Sequence, residues 1–363
     1  MNSNRDNPRR IRVLIADDSA FMRTALTRMI ESDPALQVVG TAQHGIEALE
    51  KIVALQPDVL TLDVEMPRLN GLDTLRRIMQ ECPRPVIMVS SLTQEGAETT
   101  LDALDAGAFD YIPKQLSYAS LDIVKIKEDL VAKIKAAAAQ HHPQMHRPAP
   151  APLASLPRPE APSAPVRVPT SVVALGTSTG GPKALQEILP MLPVDLPVGI
   201  LVVQHMPVGF TGPFARRLDN LCKVRVCEAS PNELIEPGVV YIAPAGWHMT
   251  VERRTASKCV VRIAKLPDNS LHIPSVDVMM LSVAEVYRGL SMGVILTGMG
   301  ADGALGMKAI GGAGGLTVGQ DEATCTVYGM PRSCAEMGVL QRVVPLRRVP
   351  EEILRATGYS HRS

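Results

Sequence analysis

The residue in this chain best suited to covalent chemistry is a serine set between glycines. Gly176-Thr177-Ser178-Thr179-Gly180-Gly181 follows the apolar run Val172–Leu175 and precedes a helix-like segment, Lys183–Leu189. The spacing Gly-x-Ser-x-Gly is that of a sharp strand-to-helix turn that lifts a hydroxyl out of the backbone. Serine is a weak nucleophile until a base takes its proton, so the motif needs partners. His205 ends the apolar run Gly199–Gln204, which puts it at the same sheet edge as Ser178 if the two runs are neighbouring parallel strands. Asp302 follows another apolar run in Leu296-Thr297-Gly298-Met299-Gly300-Ala301-Asp302-Gly303, where glycines allow tight turns and amides aimed at one spot. A carboxylate that orients an imidazole, which in turn activates a serine, is a triad defined by geometry rather than by order. The order Ser, His, Asp differs from that of α/β-hydrolases and argues against that fold. His248 and His272 are rival bases and Asp277 a rival orienting acid, none following so clear a strand. As a phosphate cradle the glycine turn lacks the Gly-Lys-[Ser/Thr] of a P-loop.

A second constellation lies earlier. Asp17-Asp18 follow one apolar run, Asp63 another, Ser90-Ser91 a third, and Lys114 comes soon after a fourth. Three carboxylates crowded at one edge repel each other unless a cation compensates. A hard divalent ion with oxygen ligands, Mg²⁺ foremost, meets that need. One carboxylate can then attack phosphorus in line while the lysine and a hydroxyl hold the phosphoryl oxygens. Each acid taken singly is better explained as a helix cap; their coincidence at one edge is what points to function.

The elements that must position these groups alternate along the chain. Strand patterns at Ile11–Ala16, Gln37–Gly40, Val59–Leu62, Val86–Val89 and Phe109–Ile112 are separated by helical ones near Ala20–Ile30, Gly45–Leu55, Leu72–Gln80 and Gly96–Ala106, with a last helix at Leu121–Ala137. Five βα units predict one doubly wound, five-stranded parallel sheet. From Pro143 to Pro169 nine of 27 residues are proline, which predicts an extended Pro/Ala-rich tether. Beyond it, strands are predicted at Ser171–Leu175, Gly199–Gln204, Val239–Ile242, Val260–Ile263, Val294–Leu296 and Leu316–Val318, with a hairpin within Tyr241–Ile263. Helices are predicted at Lys183–Leu189, Gly212–Leu221, Asp277–Val286 and Gly303–Ile310. The chain is therefore α/β throughout: a domain at 10–137, a linker at 138–168, and a second α/β domain with a mostly parallel sheet and a serine-hydrolase site at 169–358.

Composition narrows the function classes. Lys plus Arg and Asp plus Glu are 37 each among 363 residues, which speaks against a nucleic-acid-binding protein. Aromatics are only 3%, so the cores must be built from aliphatic side chains and Met. The six cysteines show no Cys-x-x-Cys pairing and are expected to be inert thiols in a reducing cytoplasm. No apolar run approaches the roughly 18 residues of a membrane span.

The constellation of acids, with Ser90, Lys114, Met66-Pro67 and Gly71, resembles the receiver domain of bacterial response regulators over Ile11 to Lys135. That resemblance implies phosphorylation of Asp63 by a histidine kinase. It implies Mg²⁺ at Asp17, Asp18, Asp63 and the Glu65 carbonyl, with Ser90, Tyr111 and Lys114 as the switch residues. Gln115 stands where the family usually has proline. The later segments Gly-Thr-Ser-Thr-Gly-Gly, Gln204-His205-Met206-Pro207, Tyr241-Ile242-Ala243-Pro244, Pro274-Ser275-Val276-Asp277, Thr297–Gly303 and Gly329-Met330-Pro331 resemble the chemotaxis protein-glutamate methylesterases. Together the likeness spans nearly the whole chain. It implies a cytoplasmic, phosphorylation-activated hydrolase of γ-glutamyl methyl esters on chemoreceptor helices, which many members supplement with glutamine deamidation. The carried-over roles are Ser178 nucleophile, His205 base and acid, Asp302 orienting carboxylate, and Thr179 and Met299 lining the site, the Met299 amide as an oxyanion donor. Mg²⁺ serves the receiver and no cofactor the hydrolysis; a monomer is expected, without nucleic acid or membrane insertion. Thr177 replaces an alanine common in the family, a change expected to be neutral. The alternative is a response regulator with a non-catalytic, receptor-binding output domain.

Overall fold

The computed structural model describes residues 9–91, 93–114, 122–141, 169–267 and 270–359. The chain divides into two compact units, one within residues 1–156 and one within 157–363.

The first unit alternates β1 (Ile11–Ala16), α1 (Ala20–Glu31), β2 (Leu36–Ala42), α2 (Gly45–Leu55), β3 (Val59–Asp63), α3 (Gly71–Glu81), β4 (Val86–Ser90), α4 (Gln94–Asp105), β5 (Asp110–Pro113) and α5 (Asp122–His141). All strands are parallel, in the order β2-β1-β3-β4-β5. β3 and β4 are buried at every residue, as strands covered on both faces must be. Val13, Ile15, Ile87 and Val89 pack under Leu26 and Ile30 of α1 and Leu130 and Ile134 of α5. Ser19, Asn70 and Thr93 cap α1, α3 and α4, each accepting a backbone N–H of the first turn. The crossover direction reverses between β1 and β3, so their carboxyl ends form the crevice where such sheets bind ligands. α5 runs on to His141, past the expected boundary at 137. The rest of the expected linker, and Gln115, lie outside the described residues.

The second unit is built from β6 (Val172–Thr177), α6 (Gly181–Ile188), β7 (Gly199–Gln204), α7 (Thr211–Leu221), β8 (Arg225–Glu228), β9 (Val239–Ile242), β10 (His248–Arg253), β11 (Cys259–Ala264), α8 (Val276–Tyr287), β12 (Ser291–Ile295), α9 (Ala304–Gly312), β13 (Leu316–Gln320), α10 (Met330–Glu336), β14 (Arg342–Val344) and α11 (Val349–Ala356). The main sheet has the order β14-β13-β12-β6-β7-β9-β8 and is parallel throughout. β10 and β11 form the expected hairpin, antiparallel, with His248 opposite Ala264. β6 is the switch strand: the chain fills positions to one side of it through β9 and β8, then returns to the other side with β12. The carboxyl ends of β12, β6 and β7 are therefore adjacent.

With few aromatics, the core over this sheet is aliphatic and thioether. Met279, Met280 and Val283 of α8 and Met307 and Ile310 of α9 pack against Val172, Ala174, Leu201 and Ile295. Met fills irregular gaps well because it is unbranched and polarisable. The edge strands β8 and β14 and the helices α10 and α11 were not expected from the sequence. Among the described residues, no helix is long and apolar enough to cross a membrane.

Candidate functional site

Ser178 and His205 leave neighbouring strands at the same level. β6 and β7 pair in parallel with Thr177 opposite Gln204, so the next residue on each strand is the serine or the histidine. Backbone bonds fix both turns: His205 N–H donates to the Thr177 carbonyl (3.2 Å) and Ser178 N–H to the Thr297 carbonyl (3.1 Å). Gln204 Nε2 ties them from below, donating to the carbonyls of Ser178 (2.9 Å) and His205 (3.1 Å). α6 starts just beyond the serine, with Gly181 N–H on the Ser178 carbonyl (2.8 Å). Ser178 is half-buried and so remains open to a substrate.

The β12–α9 loop supplies the third group. His205 Nε2 donates to Asp302 Oδ2 at 2.8 Å. The same carboxylate sits on the N-terminus of α8, where it accepts Val276 N–H (2.7 Å), Asp277 N–H (3.0 Å) and the Ser275 hydroxyl (2.9 Å). Burial pushes its pKa up. The His205 hydrogen bond and charge, followed by the two helix amides, outweigh that and leave Asp302 at about 2. An ionised carboxylate can only accept, so the imidazole proton is held on Nε2. His205 Nδ1, buried and without a hydrogen-bond partner, is then the basic nitrogen on the other side of the ring.

Threonine hydroxyls knit β6 to β12. Thr177 Oγ1 donates to the Thr297 carbonyl (2.8 Å), and Thr297 Oγ1 donates to the Thr179 carbonyl (2.9 Å) while accepting Val327 N–H (2.9 Å). Thr177 thus carries a buried bond across the site. Gly298 lies so close that a β-carbon there would sit 3.0 Å from Ser178 Cβ and from Ser178 N, and 2.2 Å from Met330 Sδ. Thr179 is buried and Met299 half-buried beside this contact.

The rivals take other parts. Asp277 accepts Gly306 N–H at 2.7 Å, at the start of α9, and burial, helped by the charge of Asp302, pushes its pKa up. His248 is fully buried on β10, where its Nδ1 accepts Ser275 N–H (3.2 Å) and its Nε2 meets the Pro267 carbonyl (2.9 Å). His272 stacks on His205. The cysteines are all free, and burial pushes Cys325 and Cys334 up to about 12. They are poor nucleophiles.

At the other sheet, Asp17, Asp18 and Asp63 each offer an oxygen within 4.8 Å of the others. Lys114 Nζ lies 2.6 Å from Asp63 Oδ1 and 3.8 Å from Asp17 Oδ2. Glu65 N–H donates to Asp63 Oδ1 (3.2 Å) and Ser19 N–H to Asp17 Oδ1 (2.9 Å). A β-carbon at Gly71 would come within 1.9 Å of the Asp63 carbonyl, so the turn after β3 needs glycine there. Burial, opposed by Lys114, raises Asp63 to about 6. Asp17 Oδ2 and Asp63 Oδ2 are buried without hydrogen-bond partners. Hard carboxylate oxygens left unsatisfied in this way fit an Mg²⁺ ion.

Ser90 and Tyr111 are held elsewhere in this state. The Ser90 hydroxyl accepts from Thr100 Oγ1 (2.6 Å) and lies 3.2 Å from the Gly96 carbonyl, both on α4. Tyr111 is buried, with Lys133 of α5 donating to its carbonyl (2.7 Å) and its ammonium 5.5 Å from the ring centroid. The sequence reading gave no role to Gln204, Ser275 or Thr297, although each lies in a segment that carries the resemblance.

Residues 173–353 match the family described as CheB methylesterase, and residues 13–124 match the response regulator receiver domain. The chain is 48% identical to protein-glutamate methylesterase/protein-glutamine glutaminase 1 of Oleidesulfovibrio alaskensis, over 95% of this chain and 99% of that protein. It is 47% identical to protein-glutamate methylesterase/protein-glutamine glutaminase of Pyrococcus abyssi, over 96% of this chain and 94% of that one. The crystal structure of the Thermotoga maritima CheB methylesterase catalytic domain matches with a TM-score of 0.50 and 39% identity, over 52% of this chain and 99% of that domain.

Proposed function

The chain belongs to the protein-glutamate methylesterase/protein-glutamine glutaminase family, and from that premise we propose that it hydrolyses γ-glutamyl methyl esters on chemoreceptor helices through Ser178, His205 and Asp302. The enzyme is a chemotaxis methylesterase with a receiver domain.

Ser178 Oγ attacks the ester carbonyl as its proton passes to His205 Nδ1. The imidazolium so formed stays bonded through Nε2–H to Asp302, which is ionised at any working pH. The Thr179 and Met299 amides receive the oxyanion; one such donor is commonly worth about 3 kcal/mol in the transition state. His205 returns its proton to the methoxy oxygen, methanol leaves, and an acyl-enzyme remains. Water, deprotonated by His205, then releases the glutamate carboxylate and Ser178. With a primary amide the same cycle releases ammonia, which is deamidation.

The observation that carries this reading is the 2.8 Å bond from His205 to a carboxylate held on a helix N-terminus, with the imidazole next in register to Ser178. Ser178→Ala should abolish methanol release from methylated receptor membranes; wild-type rates in that variant would end it.

The receiver unit serves as the control element. Asp63 is the acceptor for a histidine kinase's phosphoryl group, Mg²⁺ is held by Asp17, Asp18, Asp63 and the Glu65 carbonyl, and Lys114 neutralises the transferred charge. When bound, Mg²⁺ supplies charge neutralisation at the phosphoryl oxygens. Release of Ser90 and Tyr111 from their α4 and α5 contacts is the conformational readout, and it raises hydrolase activity. A nearly complete switch requires about 5.5 kcal/mol of differential stabilisation.

A further inference from the structure

We propose that His272 is a positioning residue for the reaction, holding the plane of the catalytic imidazole and stabilising its cationic form; this rests on the hydrolase reading above. The two rings lie parallel, 17° apart, with centroids at 4.1 Å. His205 is anchored at one atom, Nε2, by Asp302. A single hydrogen bond leaves a ring free to pivot about it, and Nδ1 must point at the serine. A second ring laid flat on the first removes that freedom.

The backbone is arranged to keep His272 in place. His272 lies on the segment leading into α8, and that segment ends in Ser275, Val276 and Asp277, the three residues that hold Asp302. His248 grips it from beneath: its Nδ1 accepts Ser275 N–H and its Nε2 donates to the Pro267 carbonyl. One stretch of chain thus fixes both partners of His205, the carboxylate and the stacked ring.

The stack also has an electrostatic sign. A neutral imidazole presents an electron-rich face to the imidazolium that forms on His205, whereas a protonated one repels it.

The test compares His272→Ala and His272→Phe in the full-length protein, measuring methanol release across pH and imidazole NMR. His272→Ala is expected to lower kcat roughly 10- to 100-fold with KM within about twofold. His272→Phe should restore most of kcat. The His205 ring protons should lose their ring-current displacement in His272→Ala and keep it in His272→Phe. Unchanged kcat in His272→Ala, or a His272→Phe variant no better than the alanine, would overturn the proposal. A wild type that releases no methanol overturns the hydrolase reading; an active wild type with an indifferent His272→Ala overturns only this one.

Discussion

Asp302→Asn separates the orienting carboxylate from its rival more sharply than any other change. The His205 hydrogen bond and charge, with the Asp277 and Val276 amides, lower Asp302 from 3.8 to about 2, despite burial. At about 1.4 kcal/mol per pH unit, that is roughly 2.5 kcal/mol of folding stability. The folded value lies below the unfolded one, so the contribution is complete above about pH 4 and fades as pH falls through about 2. Asparagine keeps the shape but presents one NH₂ to groups that are themselves donors. If that NH₂ takes the Oδ2 position it faces Val276 N–H and His205 Nε2–H. The imidazole then escapes by moving its proton to Nδ1, where it can no longer act as a base toward Ser178. The same substitution in a serine-protease triad costs about 10⁴ in kcat, and a similar loss is expected here. For a unit of this size the melting temperature should fall by about 5–10 °C. Asp277→Asn is the contrast. Its pKa is raised, chiefly by burial, so neutralising it relieves a penalty, and the amide oxygen can still accept Gly306 N–H. Calorimetry and methanol release should show Asp277→Asn at least as stable as wild type and within about threefold in kcat. An Asp302→Asn variant within tenfold of wild type, or an Asp277→Asn variant equally damaged, would refute the reasoning.

Gly298→Ala forces a β-carbon against the Ser178 backbone and should cut kcat about 100-fold while circular dichroism stays native. Asp63 is raised to about 6, so its destabilising charge develops as pH rises through that value. Without metal, Asp63→Asn should therefore stabilise the receiver at pH 7 by up to about 3 kcal/mol, read from its denaturation midpoint. Mg²⁺ should stabilise wild type in the same way but leave Asp63→Asn nearly unmoved. Deleting residues 1–140 should raise methanol release above that of the unphosphorylated whole chain; a remaining domain no more active would show that the receiver does not restrain it.

Much of this was legible because the chemistry sits at strand ends. Strands buried on both faces, such as Gly199–Gln204 and Val59–Asp63, stand out as continuous apolar runs, and the residue that stops each run is the one aimed into the crevice. Asp17, Asp63, Ser178 and His205 could be found that way, and Asp302 by the glycine-rich loop that follows β12. Edge strands give no such signal: Arg225–Glu228 and Arg342–Val344 are short and part-exposed, with charged residues in them. Nor could the sequence decide between Asp277 and Asp302. Each precedes or opens a helix, and only the packing of α8 beside α9 assigns one to the imidazole and the other to Gly306. The stack of His272 on His205 joins residues far apart in sequence across a segment with no regular structure, so no periodicity announces it. The bond from Thr100 to the Ser90 hydroxyl, which ties the end of β4 to α4, is a contact that spacing does not encode.

The most direct test of the triad is covalent trapping with a phosphonyl fluoride, which reacts only with a base-activated hydroxyl. Mass spectrometry of the labelled full-length chain should place one adduct on Ser178 in wild type and almost none in His205→Gln under the same conditions. An unlabelled Ser178, or equal labelling without the imidazole, would contradict the account.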